Sequence, residues 1–494
     1  MPARRPLQGF HGFAALAWLC AGASAALAAE PLELRFALNP LPAFLVFVET
    51  ARGDSMRSTT LREAFERSRQ ATPEVRAQLA AILDEAPSLR ESIVFQSYPE
   101  ARRQARMLPE LMLLAAAQAR DLDDLELRCR GLLPFPEHAR LFATYRALYP
   151  IYLEALWEPH RGELATFQAR LEARARQADL AGILGAAREL IGAEWPPGVP
   201  FEVRLYPIPG RQGHSISMSS ANLETLGVLT DKEDVDGILG ILVHEACHSL
   251  WDAQPLERQR ELDARFAANP SPYARYAYRL LNEGLAAAVG NGETYARLTG
   301  RLDEDPWYNE ATIEGYARAL YPLVHDYLTR GRRLDAAFVD QAVARFAGRF
   351  PEAIYRFDNL LTDVLLLCDG DALDTRRVGQ ALRARFRINS FSRMAPAGGP
   401  DALAALAEAR SSTVVLAISE GQLGQLARAV DALPVLQPHR ERLLAPGGEL
   451  AFAALEPDGR AILVLRVRDL DGLQRLVERL LRAERLRPGQ PFLE

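Results

Sequence analysis

At 494 residues, with 49% apolar and 25% charged side chains, the chain has the composition of a folded globular protein long enough for more than one core. Its net charge of −6 gives no case for a nucleic-acid or anionic-membrane binder. Lys232 is the only lysine, so the basic chemistry of the chain is almost wholly arginine, a bias that base composition of the gene explains better than selection for guanidinium contacts.

Arg4 and Arg5 precede an apolar run beginning at Phe13, and small residues follow to Ala26-Leu27-Ala28. That order is a secretory signal, so residues 1–28 are expected to be cleaved and the protein exported, periplasmic or secreted. No later stretch is apolar for long enough to span a bilayer. Cys129, Cys247 and Cys368 remain, and Cys129 with Cys368 is the one pairing that spares the helix described below; the sequence leaves open whether it forms.

Alternation predicts short strands at 32–36 and 44–48. Residues 29–198 otherwise read as a helical region, with apolar spacing of three and four over 61–70, 74–84, 99–120 and 137–157, and a long charged helix over 161–191. Gly131 to Pro136 and Glu158-Pro159-His160 are expected breaks. Trp195-Pro196-Pro197-Gly198 closes this part, and strands are predicted at 201–206 and 213–220. Thr230 and Glu233 have capping-box spacing, which starts the next helix near Asp231. Further helices are expected over 272–288, after Asp305-Pro306, over 336–350 and over 351–367. Residues 394–400, rich in Gly and Pro, read as a linker. Beyond it, residues 401–494 have the pattern of a small α+β domain: a strand at 413–419, a helix at 420–433, a hairpin of 449–455 and 461–467 around Pro457-Asp458-Gly459, and a helix at 470–485.

The helix after Thr230 contains His244-Glu245-Ala246-Cys247-His248. Histidines at i and i+4 share one helix face and can present their nitrogens to one point, where zinc is the usual ion and the intervening Glu is the general base. A catalytic zinc needs a third protein ligand, and Glu283, set between Leu280, Leu281 and Leu285 on a separate helix, is the best candidate.

His244-Glu245-x-x-His248 followed by Asn282-Glu283-Gly284-Leu285-Ala286 resembles the gluzincin metallopeptidases, the clan of thermolysin and the zinc aminopeptidases, over roughly residues 200 to 330. The resemblance implies His244, His248 and Glu283 as zinc ligands, Glu245 as base, and Asn282 as the group that orients a ligand imidazole. It also implies a substrate-binding edge strand before the metal helix, for which 213–220 has the right place. Asp252 stands at a position frequent in such helices. Two differences stand out: Ala287 occupies the position where thermolysin-like proteins carry an Asp, and the aminopeptidases' Gly-x-Met-Glu-Asn motif is absent. An oxyanion donor is also required, and Tyr308, Tyr316 and His325, expected on the helix after Asp305-Pro306, are the candidates.

The expectation is therefore a mostly helical α+β protein, with a zincin-like metallopeptidase core at 199–393 and the small C-terminal domain, hydrolysing a peptide or protein substrate with Zn2+. The alternatives are a zinc-binding but catalytically degenerate periplasmic binding or assembly protein, and a metal-free helical scaffold.

Overall fold

A computed structural model describes residues 32–493, apart from 54–57, 95–96, 100–101, 103–104, 212–216, 233, 371–372 and 411. The expected signal segment, Glu233 of the capping box and the first half of the expected 213–220 strand, His214 included, lie outside the described residues. What is described is a mostly helical α+β protein built on two main sheets. Among the described residues no helix is long and apolar enough to cross a membrane.

Strand β1 (Leu34–Ala37) enters the first sheet, and β2 (Ser92–Val94) and β3 (Ala105–Met107) form a separate small hairpin. The rest of the first sheet is β4 (Phe201–Ile208), β5 (Met218–Ser220) and β6 (Leu223–Leu229), in the order β1-β4-β6-β5. β1, β4 and β6 run parallel, while β5 lies antiparallel at the edge with Ser219 opposite Glu224. All eight residues of β4 are buried, as a strand covered on both faces must be. The helices Pro40–Ala51 and Glu158–Gln177 pack against β4, and the Val235–Asp252 helix packs against β5 and β6.

The second sheet is β7 (Asp363–Cys368), β8 (Ser390–Met394), β9 (Thr413–Ser419), β10 (Leu450–Leu455), β11 (Ala461–Val467) and β12 (Phe492–Leu493), in the order β12-β10-β11-β9-β7-β8. Its alternating side chains serve two cores. Leu365, Leu367, Val414 and Leu416 face one beneath the Leu423–Ala432 helix, while Val364, Leu366, Val415 and Ala417 join the core shared with the rest of the chain.

Several expectations fail for identifiable reasons. The run 44–48 is the middle of the Pro40–Ala51 helix, started by the Asn39 side chain accepting from Leu41 N at 2.9 Å; a helix buried on every face loses its periodicity. Glu158-Pro159 breaks nothing: the chain passes from the Phe135–Tyr152 helix through a π-helical turn, Leu153–Trp157, into the Glu158–Gln177 helix, and the proline falls directly after that widened turn. The break comes at Asp179, left-handed at φ 51, whose carboxylate caps the Leu180–Ile191 helix. Within 99–120 the chain forms β3 before the Leu108–Gln118 helix. Residues 351–367 hold only the short Phe357–Leu360 helix and then β7, an apolar run that is a buried parallel strand. The stretch 394–400 is not a free linker: Ala397 is fully buried and its N–H reaches Cys368 O at 2.7 Å. The second sheet accordingly starts at Asp363, inside the segment assigned to the metal domain. Cys129, Cys247 and Cys368 are all buried free thiols.

Candidate metal centre

The Val235–Asp252 helix starts later than the capping box suggested, because Asp234 caps it, its carboxylate accepting from Gly237 N at 2.9 Å. Leu239, Leu242, Val243, Ala246 and Leu250 anchor it in the core. The chain then returns as the Leu281–Ala287 helix and widens into a π-helical turn, Ala288–Thr294, both packed against the first helix. The crossing is backbone on backbone: a Cβ on Gly290 would lie 2.5 Å from both Gly240 O and His244 N. Glycine is required there by contact, and the contact fixes which residues of the returning segment face the two histidines.

His244, His248 and Glu283 converge, each offering a ligand atom within 4.8 Å of the others. The two Nε2 atoms approach to 3.2 Å, and Glu283 Oε2 lies 3.5 Å from each. That oxygen is buried without a hydrogen-bond partner. Each imidazole is held from behind by an amide: Asn291 Oδ1 is 3.2 Å from His244 Nδ1, and Asn282 Oδ1 is 3.1 Å from His248 Nδ1. An acceptor on Nδ1 places the proton of the neutral imidazole there and turns Nε2 toward the centre. Burial opposes charge on both partners, yet His248 draws Glu283 well below the usual carboxylate range, and Glu283 raises His248 to about 10. The pocket is organised around a positive charge. Two inward-facing Nε2 atoms, an orphaned carboxylate oxygen and amide acceptors on both Nδ1 atoms fit a metal ion held by His244, His248 and Glu283.

The Glu245 carboxylate reaches β5, where the backbone of Ser219 hydrogen-bonds it. Burial and the charge of Glu283 push its pKa up, against the pull of His244 and His248. Behind it on β6, Glu224 accepts from Ser249 Oγ at 3.0 Å, and burial with Glu245 nearby raises its carboxyl well above the ordinary range.

Of the three expected oxyanion donors, the structure brings only Tyr308 to the centre. It sits in the loop before the Ala311–Thr329 helix, which starts later than Asp305-Pro306 suggested. Glu314 pins that loop by accepting from Trp307 N at 2.7 Å and Tyr308 N at 3.0 Å. The Tyr308 ring lies 5.9 Å from that of His244, and burial and the Glu283 carboxylate push its hydroxyl far up. Tyr316 is a correction: it is fully buried, packs on Phe346 and under Gly284, and its hydroxyl reaches Ala342 O at 3.4 Å. His325 is another: half exposed, it pairs with Glu293 at 2.8 Å and packs on Tyr321, away from the three ligands. Asp252 is engaged by Arg106 rather than by the centre.

Two residues escaped the sequence reading. Asn291 lies in Gly290-Asn291-Gly292, a triplet that reads as a turn. Glu224 lies on β6, a strand not expected at all, although Leu223, Leu226 and Val228 carry an apolar signal there. No known protein-family model matches the chain, and no match is found among curated proteins or solved structures.

Proposed function

We propose that the protein is an exported zinc metallopeptidase with a gluzincin-like site on a zincin-like core. The observation that carries this reading is the convergence of His244, His248 and Glu283 on one point, with Glu245 of the same helix turned toward the edge strand β5. Two imidazoles and a carboxylate suit zinc, with a coordination position left for water. Bound there, zinc supplies Lewis-acid polarisation of a water and of a carbonyl.

The chain supplies the remaining chemistry. Glu245, whose pKa burial raises, takes the water proton and returns it to the leaving amine. Tyr308 donates its hydroxyl proton in a hydrogen bond to the oxyanion that develops on the carbonyl. The open side of β5 pairs with an extended peptide and lays it along the metal helix. Asn291 supplies the imidazole partner that the missing Asp at Ala287 left open, and Tyr308 supplies an oxyanion donor; both weigh against a degenerate site. The export expectation rests on the N-terminal sequence alone.

The deciding experiment is Glu245→Gln. The variant is expected to keep one zinc per chain and to lose peptidase activity by a factor of about 10² to 10⁴. Full activity in a zinc-loaded variant refutes the mechanism. Zinc binding by the wild type without cleavage of a mixed peptide library means a degenerate binding protein, and zinc well below one per chain means a scaffold.

A further inference from the structure

The chain is acidic overall, yet its far end gathers positive charge around a cavity. The groove lies between the C-terminal half of the Leu470–Ala483 helix, the tail that ends in β12, and the Arg440–Leu444 helix, with a volume of about 830 Å³. Arg442, Arg479, Arg482, Arg485 and Arg487 line it together with Phe492, and no acidic residue does so among the described residues. Elsewhere arginine is commonly matched to a carboxylate, as in Arg174 with Asp236, Arg204 with Glu202 and Arg460 with Glu456. Here the partners are different. Arg442 sits over the Phe492 ring with its Cζ 3.7 Å from the centroid, Arg479 donates to Leu493 O at 3.1 Å, and Arg482 donates to Glu478 O at 3.4 Å. The Arg487 side chain has no hydrogen-bonded or ionic partner among the described residues. Of these arginines Arg485 alone forms an ion pair among the described residues, with Glu352 at 2.8 Å, more than half exposed and therefore contributing little, while Glu449 acts on Arg479 without an ion-pair contact.

We propose that this groove binds a ligand carrying two or more phosphate groups. Carbonyl and aromatic contacts orient the guanidinium groups without neutralising them, so their charge remains for a ligand. The planar fork of arginine matches phosphate oxygens in pairs. Arginines contributed by three separate segments span a volume within the size range of small-molecule sites, about 300–1,000 Å³, far more than one carboxylate needs. The occupant is a soluble polyphosphorylated molecule or the phosphates of a lipid surface; the chemistry recognised is the same.

The test titrates the full-length protein with inorganic tripolyphosphate by calorimetry, before and after metal removal so that chelation at the metal centre does not contribute. In parallel the protein is sedimented with vesicles of phosphatidylglycerol or of phosphatidylcholine. The wild type is expected to bind tripolyphosphate, or phosphatidylglycerol vesicles alone of the two lipids, with affinity that falls as salt rises. Arg482→Gln with Arg487→Gln, both at exposed positions, should weaken binding at least tenfold, while Arg161→Gln with Arg176→Gln, an equal change of charge on a distant helix, should not. Binding of tripolyphosphate identifies a soluble ligand; binding of phosphatidylglycerol vesicles only identifies a surface. No binding to either probe, or equal weakening in both double variants, overturns the proposal.

Discussion

Replacing Asn291 by alanine isolates one contact at the metal centre. His244 is buried at 7% exposure, and the 3.2 Å contact from its Nδ1 to Asn291 Oδ1 is the hydrogen bond that fixes its tautomer. Removing the acceptor leaves a buried ring N–H unsatisfied, which costs about 1–3 kcal/mol. It also lets the proton move to Nε2, where it competes with the metal. Loss of such an outer partner lowers metal affinity about 10- to 100-fold, which is about 1.4–2.8 kcal/mol at 1.4 kcal/mol per decade, so the two routes agree. Asn291→Asp keeps an acceptor in place and should bind zinc as tightly as the wild type or more tightly. The assay is competition for zinc against a chromogenic chelator at fixed pH, with far-UV circular dichroism to show that the helices persist. The close approach of the two backbones is at Gly290, so a change at 291 does not disturb it. An alanine variant whose zinc Kd stays within twofold of the wild type would sink the assignment of Asn291, and an aspartate variant as weak as alanine would sink the electrostatic reason for it.

Tyr308→Phe should lower kcat by about 10² to 10³ with zinc content and KM nearly unchanged, as removal of one oxyanion donor does elsewhere; steady-state kinetics with an unchanged kcat would make Tyr308 a wall of the pocket and nothing more. Stripping the metal with a chelator should lower the unfolding temperature by several degrees, because an ion held at 100 times its Kd contributes about 2.7 kcal/mol, and calorimetry with no shift on chelation would mean that the trio holds no ion. Gly459→Ala should destabilise the fold by about 3 kcal/mol, since φ is +84 and the new Cβ would lie 2.1 Å from Pro272 O, combining left-handed strain of about 1–2 kcal/mol with a displaced turn. Gly489→Ala, at φ +76 in open space, is its control in urea unfolding, and equal losses at the two positions would show that packing at Gly459 contributes nothing.

The cluster of candidate ligands was legible because it is local. His244 and His248 are one helical turn apart, and Glu283 stands in an apolar segment that returns beside them, so a spacing rule and one pattern carry all three. Asn291 was hidden because its role depends on the Gly240–Gly290 crossing, a contact that leaves only two glycines in the sequence. Two of the misread elements share one cause: residues 44–48 and 364–368 are buried on every side, one in a helix and the other in a parallel strand, and periodicity separates neither from the other. The amphipathic helix 470–485 kept its period, and the 449–467 hairpin was marked by its Pro457-Asp458-Gly459 turn; both were placed within a residue or two. Tyr316 and His325 were grouped with Tyr308 because all three were assigned to one helix; the late start of that helix puts Tyr308 in a loop facing His244 and turns Tyr316 into the core.

Where the second sheet begins matters for the centre itself. His244 and His248 are positioned by a helix lying on the first sheet. Glu283 follows directly from the Ala274–Arg279 helix, and that helix is tied to the second sheet and its approach: Tyr276 donates to Gly459 O at 2.8 Å, Arg275 pairs with Asp458 at 2.7 Å, and Arg279 reaches Asn359 O at 2.9 Å and Asp363. Two ligands are thus referenced to one sheet and the third to the other. Cutting the chain at the expected 393–401 boundary would part β7 and β8 from β9 and remove the turn that holds Tyr276, so it would loosen Glu283 while leaving the His-Glu-x-x-His helix untouched. The distance of 3.5 Å from Glu283 Oε2 to both imidazoles is therefore a property of how the two sheets are joined, and an ion bound there would strengthen that joint as well as complete the site.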